Sequence, residues 1–387
     1  MAEHAVLSAS SAERWMHCPG SVHMASMFPP SSSSSAEEGT LAHALAETMI
    51  NQPEKADGHR EAVEAFYKAN PDLNDSFKNM KDTLQPYVDF VDSVYQETLK
   101  RDASATLLTE QKVEFSEYVP GGFGTSDVVI IGAGCVTIID LKYGKGVPIS
   151  AKNNPQIRLY ALGAINEYSL VYDFDRVRMV IYQPRLDKVT EEEMTVENLQ
   201  KWAKEYVSPA AKEALSDKPS YHPGEWCSSH FCPGVGACKA RAEYALALER
   251  HSGRDPALLT DEEIADALGR VSALESWAKD LGKYALREAL DGHPIPGWKI
   301  VEGISKRVYT DEDKVVDAAM KAGYDEALLY KRSLIGITDM EKLMGKKQFG
   351  AVLGGLVVKP RGAPKLTPES DPKPVYDPNK NLRDEFD

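Results

Sequence analysis

Gly124-Thr125-Ser126-Asp127-Val128-Val129-Ile130-Ile131-Gly132-Ala133-Gly134-Cys135-Val136-Thr137-Ile138-Ile139-Asp140-Leu141-Lys142 is the stretch that decides the fold. Two β-branched runs, residues 128–131 and 136–141, flank a Gly-Ala-Gly turn, and this pattern predicts a β-hairpin. Strand side chains alternate between faces, so Asp140 and Lys142 share one face while Leu141 turns to the core. Asp127 opens the neighbouring strand and comes to lie beside Asp140. Two carboxylates and an ammonium then converge at one end of a small sheet. Hard carboxylate oxygens suit Mg²⁺ or Mn²⁺, whose water can be activated for phosphodiester hydrolysis. A nearby lysine orients that water and stabilises charge developing on the phosphate. Read in isolation, the same residues also fit a turn aspartate and a surface ion pair.

On either side of the hairpin the periodicity changes. Residues 36–105 read as helical, with Leu84, Val88, Val91 and Tyr95 at helical spacing. Residues 105–108 and 113–115 read as strands, 155–166 as a helix and 176–183 as a further strand. That order predicts an α/β core, a mixed sheet carrying Asp127 and Asp140 and flanked by helices. Residues 187–250 read as helix leading to a cysteine cluster, 260–290 as a long amphipathic helix and 298–309 as a strand. Residues 311–322 read as a helix and 346–361 as a strand or turn. The chain divides into a core over 1–250, a mostly helical C-terminal lobe over 251–360, and a polar, proline-rich tail over 361–387 expected to be disordered.

The composition is that of a globular protein of 387 residues, 42% hydrophobic and 27% charged. The first ten residues lack the basic and apolar runs of a secretory signal, and the longest nearly apolar run, 128–139, is too short to span a bilayer. The expectation is a cytoplasmic protein with no membrane partner. A formal charge of −14 opposes non-specific association with phosphate. Lys142, Lys145, Lys152, Arg158 and Arg185 fall in one region poor in acids, which leaves room for a basic cleft.

Upstream of the hairpin, Gly39-Thr40-Leu41-Ala42-His43 sits in a helical stretch where His43 and Glu47 share a face. A neutral imidazole there can ligate metal, a protonated one can contact phosphate, and a packed histidine fits as well. Downstream, Gln156 and Tyr160 share a helical face and can hydrogen-bond a nucleic-acid backbone or a metal-bound water. Taken in order, Gly-Thr-x-x-His, Gly-Thr-x-Asp, Asp-x-Lys and Gln-x-x-x-Tyr resemble the motif series of RecB-like nucleases of the PD-(D/E)XK superfamily. The resemblance covers residues 8–240. It implies a restriction-endonuclease-like core in which His43, Asp127 and Asp140 ligate Mg²⁺ or Mn²⁺, Lys142 is the catalytic lysine, and Gln156 and Tyr160 complete the site. A glutamate also precedes the first aspartate in such nucleases; Glu110 and Glu114 both qualify, with Glu110 favoured. The implied activity is DNA hydrolysis at single strands or duplex ends, with phage recombination or replication proteins as partners. The opening Ser-x-Ser-Ser-x-x-x-Trp and Cys-Pro, within residues 8–19, are similar to an uncharacterised phage-encoded branch of these nucleases.

Five cysteines, Cys18, Cys135, Cys227, Cys232 and Cys238, are an odd number for a disulfide framework. Three of them lie within twelve residues, which points to metal ligation, and Cys135 in its apolar run reads as a core residue. The set resembles the iron–sulfur staple of RecB-like nucleases, which implies a structural [4Fe–4S] cluster on Cys18, Cys227, Cys232 and Cys238. Four residues separate Cys227 from Cys232, more than is usual in that staple, so His230 as a ligand of structural Zn²⁺ is the alternative. Two other readings remain beside the nuclease: a non-catalytic nucleic-acid-binding module that keeps the fold, and a metal-clasped scaffold.

Overall fold

Ala133 and Gly134 both take positive φ, 52° and 70°, and join strands that pair from Gly132↔Cys135 onward. That is the two-residue turn whose twist suits a hairpin. An alanine in the left-handed region is disfavoured, and here its N–H is held by Asp102 Oδ2 at 2.9 Å. The computed structural model describes residues 5–28, 33–224, 226–246, 260–304, 307–330, 334–360, 362–368 and 373–377.

The first of two units, Met1–Trp277, is built on a five-stranded mixed sheet. Ahead of the sheet come α1 (Ala12–His17), α2 (Gly20–Ser26), α3 (Ser34–Asn51), α4 (Arg60–Ala69) and α5 (Phe77–Arg101). Then follow β1 (Thr106–Glu114), β2 (Phe123–Gly132), β3 (Cys135–Leu141), α6 (Pro155–Tyr168), β4 (Arg176–Gln183) and β5 (Lys188–Thr195). Strand order is β1-β2-β3-β4-β5; only β3 and β4 run parallel, as the crossover through α6 requires. After β5, α7 (Val196–Trp202) passes through a π-helical turn (Ala203–Val207) into α8 (Ser208–Ala214). Cys227 lies on α9 (Trp226–Ser229), Cys232 and Cys238 lie between it and α10 (Lys239–Leu246), and α11 (Asp261–Leu290) follows.

Both faces of the sheet are covered, which is why its central strands read as unbroken apolar runs. Val128, Ile130, Ile139, Leu141 and Val180 pack with Leu45, Met80 and Leu84 of α3 and α5. Val129, Ile131, Val136, Ile138 and Met179 pack with Ile157, Leu159 and Ala161 of α6 and with Trp15 of α1. Each such side chain contributes about 1.5–3 kcal/mol when buried. The flanking Ile138, Ile139 and Leu141, all 1% exposed or less, therefore hold Asp140 in an interior it would not choose alone.

The second unit, Ala278–Asp387, has its own core of Val315, Ala319, Leu329, Met340, Phe349 and Leu353. It contains β6 (Trp298–Glu302), β7 (Val308–Tyr309), α12 (Glu312–Lys321), α13 (Glu326–Leu329), α14 (Ile337–Met344), α15 (Lys346–Leu353), β8 (Val357–Val358) and β9 (Pro364–Pro368).

Several segments differ from their sequence reading. Lys188–Thr195 is not helical but a strand on the sheet edge, where Glu191 and Glu193 lie opposite Val180 and Arg178. Its acidic run suits a helix locally, and pairing with β4 overrides that preference. The strand read over 298–309 is two strands in two sheets, β6 with β9 and β7 with β8. Within 346–361 a helix forms, because Phe349 and Leu353, one turn apart, are both buried in the unit's core. Residues 364–368 of the expected disordered tail form β9, with prolines at its two ends, while 361, 369–372 and 378–387 lie outside the described residues.

Candidate active site

The β2–β3 register pairs Val128 with Ile139, so Asp127 and Asp140 come next at the open end of the two central strands. Asp127 Oδ2 accepts the Leu141 N–H at 2.7 Å, and its Oδ1 lies 3.1 Å from His43 Nδ1 on α3. Lys142 Nζ donates to Gln156 Oε1 at 2.9 Å and stands 2.9 Å from Asp140 Oδ2. Gln156 Nε2 donates to Tyr160 Oη at 3.1 Å and reaches Asp140 Oδ1 at 3.5 Å. Helix α6 aims these two side chains because Asn154 caps its first turn, accepting from the N–H groups of Gln156 and Ile157, with Pro155 at the first helical position. Asp140 Oδ2 is buried and makes no hydrogen bond of good geometry; its polar neighbour is the Lys142 ammonium.

Glu110 joins the site through a break in the side-chain alternation of β1, with the register to β2 unchanged on either side. Leu108 and Val113 of β1 both pack on the α6 side although they are five residues apart. On β2 the same holds for Val129 and for Gly124, where a Cβ would strike the Tyr160 ring at 2.7 Å. An odd spacing breaks the two-residue alternation. The break falls at Glu110, φ 47°, opposite Asp127 in the register. A non-glycine residue held in that region costs about 1–3 kcal/mol, and such strain collects at functional sites. Glu114, the other glutamate considered, is 56% exposed and lies 3.9 Å from Lys112. Among the described residues, His43, Glu110 and Asp127 form the group of ligand-type side chains whose atoms all approach within 4.8 Å. Asp140 lies beside this triad rather than within it.

Electrostatics follow from crowding acids in a partly dry site. Burial, reinforced by Asp127, pushes the Glu110 carboxyl up to about 7. Burial also raises Asp140, against the pull of Lys142. His43 resists charging because it is buried, but Asp127 outweighs that and raises it. Lys142 is likewise opposed by burial and raised by Asp140 and Asp127. Metal-free protein is therefore expected to lose thermal stability as pH rises. Between 4.5, its ordinary value, and about 7, folded Glu110 keeps a proton that the unfolded chain has released, so stability falls through this window. The raised values of Asp140 and His43 act in the same direction. Calorimetry in EDTA from about pH 5 to 8 checks this; a Tm that climbs with pH would contradict it, whereas added Mn²⁺ should flatten or reverse the fall.

Of the five cations that left room for a basic cleft, three are engaged within the protein. Arg158 is spent on Glu192, at 2.7 and 2.9 Å, and Arg185 on Glu38 and Asp75. Lys142 is engaged with Asp140 and Gln156. Lys145 and Lys152 remain exposed. The carboxylate partners of both arginines lie more than thirty residues away in sequence, so no local pattern could have revealed them.

Cys18, Cys227, Cys232 and Cys238 line one small apolar cavity of about 20 Å³ with Met24, Tyr221 and Val235. The long Cys227–Cys232 gap is absorbed by a helix-ending turn. Phe231 takes φ 52°, its N–H bonds Ser228 O at 3.3 Å, and the Cys232 N–H bonds Cys227 O at 3.1 Å. This double closure folds Cys232 back onto Cys227. Arg14 braces the same turn by donating to the carbonyls of His230 and Phe231. The N–H groups of His222 and Gly224 point at the sulfurs of Cys18 and Cys227, at 3.4 and 3.5 Å. Burial raises the Cys232 thiol to about 11. Neither His230 nor Cys135 lines the cavity. Four converging thiols with N–H donors to sulfur fit a thiolate-bound metal group.

Fold and site together define a mixed α/β sheet protein with a carboxylate–histidine–lysine centre at the open end of its two middle strands. The chain belongs to the family described as "Protein of unknown function (DUF2800)", which matches residues 4–374. A Eubacterium rectale protein provisionally named an exonuclease has a crystal structure with 11% identity and a TM-score of 0.35, the match covering 58% of this chain and 87% of that one. The crystal structure of SSO0001 gives 15% identity and a TM-score of 0.27, covering 62% and 89%. Likenesses of this size carry no argument about activity. No helix among the described residues is long and apolar enough to cross a membrane.

Proposed function

We propose that this chain is a Mg²⁺- or Mn²⁺-dependent deoxyribonuclease, acting as an exonuclease on single strands or duplex ends in phage recombination or DNA processing. The observation that carries this is the closure of His43, Glu110 and Asp127 to within 4.8 Å, beside the buried Asp140–Lys142 pair. Two carboxylates with an imidazole suit a divalent cation, and the strained Glu110 backbone is well explained if its carboxylate is aimed for that purpose. A bound cation supplies Lewis acidity at a phosphoryl oxygen and lowers the pKa of water. The Lys142 ammonium has three N–H donors; one is donated to Gln156, and the others reach Asp140 and an incoming phosphate oxygen. Tyr160, by accepting from Gln156, keeps the amide oxygen turned to Lys142. Sheet and helix caps hold these groups without reorganisation, which hydrolysis geometry demands.

For the cysteine cavity the reading is a structural [4Fe–4S] cluster. Tetrahedral Zn²⁺ with 2.3 Å bonds would bring its thiolates to about 3.8 Å from one another. The four thiols around one cavity and the N–H donors beside two of them suit either group, and the choice of the wider cluster rests on the resemblance of the cysteine set. Iron and zinc analysis of anaerobically purified protein decides between them.

A metal-clasped scaffold is the second reading, favoured by the charge of −14 and by the internal pairing of Arg158 and Arg185. Incubating end-labelled single- and double-stranded DNA with Mn²⁺, Mg²⁺ or EDTA separates the two. Release of labelled nucleotides with either metal and none in EDTA is the expected result. Intact DNA after incubation with folded, Mn²⁺-loaded protein would transfer the assignment to the scaffold.

A further inference from the structure

Arg185, whose side chain is 8% exposed, makes four charge-assisted or polar contacts at once. Its Nη1 donates to Glu38 Oε2 at 3.0 Å, and its Nη2 donates to Glu38 Oε1 at 2.7 Å, Asp75 Oδ2 at 2.6 Å and Tyr143 Oη at 3.1 Å. The guanidinium also lies 4.0 Å from the centre of the Tyr143 ring, and the Tyr67 hydroxyl donates to Glu38 at 2.9 Å. None of these groups touches the candidate metal triad, and a buried ionic cluster of this kind is weak as a source of stability, since apolar residues of similar volume do as well or better.

Its connections give it another purpose. Glu38 belongs to α3, five residues before His43. Tyr143 directly follows Lys142, whose own N–H is tied to Tyr182 O at 2.9 Å. Arg185 itself comes just after β4, and Asp75 just before α5. The guanidinium therefore spans from the helix bearing the histidine to the segment bearing the lysine. We propose that the Glu38–Arg185–Tyr143 bridge, fixed laterally by Asp75, is a positioning device that sets the separation between His43 on α3 and the Asp127–Asp140–Lys142 strand ends. The inference rests on the metal-site reading above. A planar fork is suited to the task, because it satisfies two carboxylates and a hydroxyl in one rigid geometry; lysine cannot do so.

The test separates positioning from stability. In one variant the network is made neutral and mostly apolar: Glu38→Met, Tyr67→Phe, Asp75→Asn and Arg185→Met together. In a second, Arg185→Lys keeps the charge but loses the fork. Mn²⁺ affinity is followed by the free-ion electron paramagnetic resonance signal, alongside thermal melting, with Asp127→Asn as the control that reports the metal site. Both variants are expected to bind Mn²⁺ about tenfold or more weakly than wild type, in the range usual for losing groups that orient ligands. The mostly apolar variant should do so while melting near the wild-type temperature; if it fails to fold, Arg185→Lys carries the measurement. Wild-type Mn²⁺ affinity in either folded variant overturns the proposal while leaving the nuclease reading intact. Wild-type binding that Asp127→Asn does not weaken overturns the metal site, and the bridge's role with it.

Discussion

Asp140→Asn is expected to slow Mn²⁺-dependent DNA cleavage by about a thousandfold, the upper end of what loss of one preorganised electrostatic group costs. Asparagine keeps the shape and can still accept from Lys142, so the loss is one of charge rather than packing. Asp140 is 3% exposed, and Gln156 and Lys142 both address it. Its negative charge is thus delivered to the reacting centre through a medium that screens it little. The carboxylate is also the buried partner of the Lys142 ammonium, so the variant should melt below the wild-type temperature in EDTA. Single-turnover cleavage at saturating Mn²⁺ and DNA, paired with a melting curve, measures both. A variant that retains a tenth of the wild-type rate would remove Asp140 from the reaction centre. One that fails to fold would instead show that the carboxylate chiefly neutralises Lys142.

That Asp127, Asp140 and Lys142 could be placed together from sequence follows from the shortness of the distances involved. Strand alternation and a two-residue turn are local, and they bring residues 127 and 140 together without reference to the rest of the chain. His43, Gln156 and Tyr160 are singled out by the order of the motifs they stand in, since helical spacing alone would fit packed or surface residues as well. Glu110 shows where this reasoning stops. A glutamate with φ 47° is not a preference of its sequence; the broken alternation goes with packing on both sides, Leu108 before it and Val113 after it. Strand β5 was missed because three consecutive glutamates suit a helix until Arg178 and Glu191 meet at 2.7 Å across the ladder. The bridge from Glu38 to Arg185 spans 147 residues and has no periodic signature at all. Local rules recover the elements and the groups they carry. They do not recover which cations are already spent: Arg158 and Arg185 are internal struts, whereas Lys145 and Lys152 stay exposed.

Cys18→Ser is expected to empty the cysteine cavity of iron and to lower the melting temperature by about 5 °C. Cys227, Cys232 and Cys238 lie on one short segment and can meet by local folding, whereas Cys18 comes from roughly two hundred residues earlier and joins the C-cap of α1 to them. A link closing a loop of that size removes much of the freedom of the unfolded chain, on the order of 4–5 kcal/mol when the bond is strong. Part of the effect is lost because Trp15, fully buried with its indole N–H on Ser8 O at 3.1 Å, holds α1 to the core without the cysteine. A remaining loss of roughly 3 kcal/mol corresponds to about 5 °C in a unit of this size. Limited proteolysis should then open the N-terminal segment first, since it depends on the link and the sheet does not. Cys135→Ser is the matched control: that thiol lies on β3, away from the cavity, and its loss should leave iron content unchanged. Equal iron and equal melting temperature in Cys18→Ser would mean that the other three cysteines hold the metal alone. Zinc in place of iron would keep the stability argument and change only the group that makes the link, because either centre binds through deprotonated thiols that burial otherwise keeps protonated.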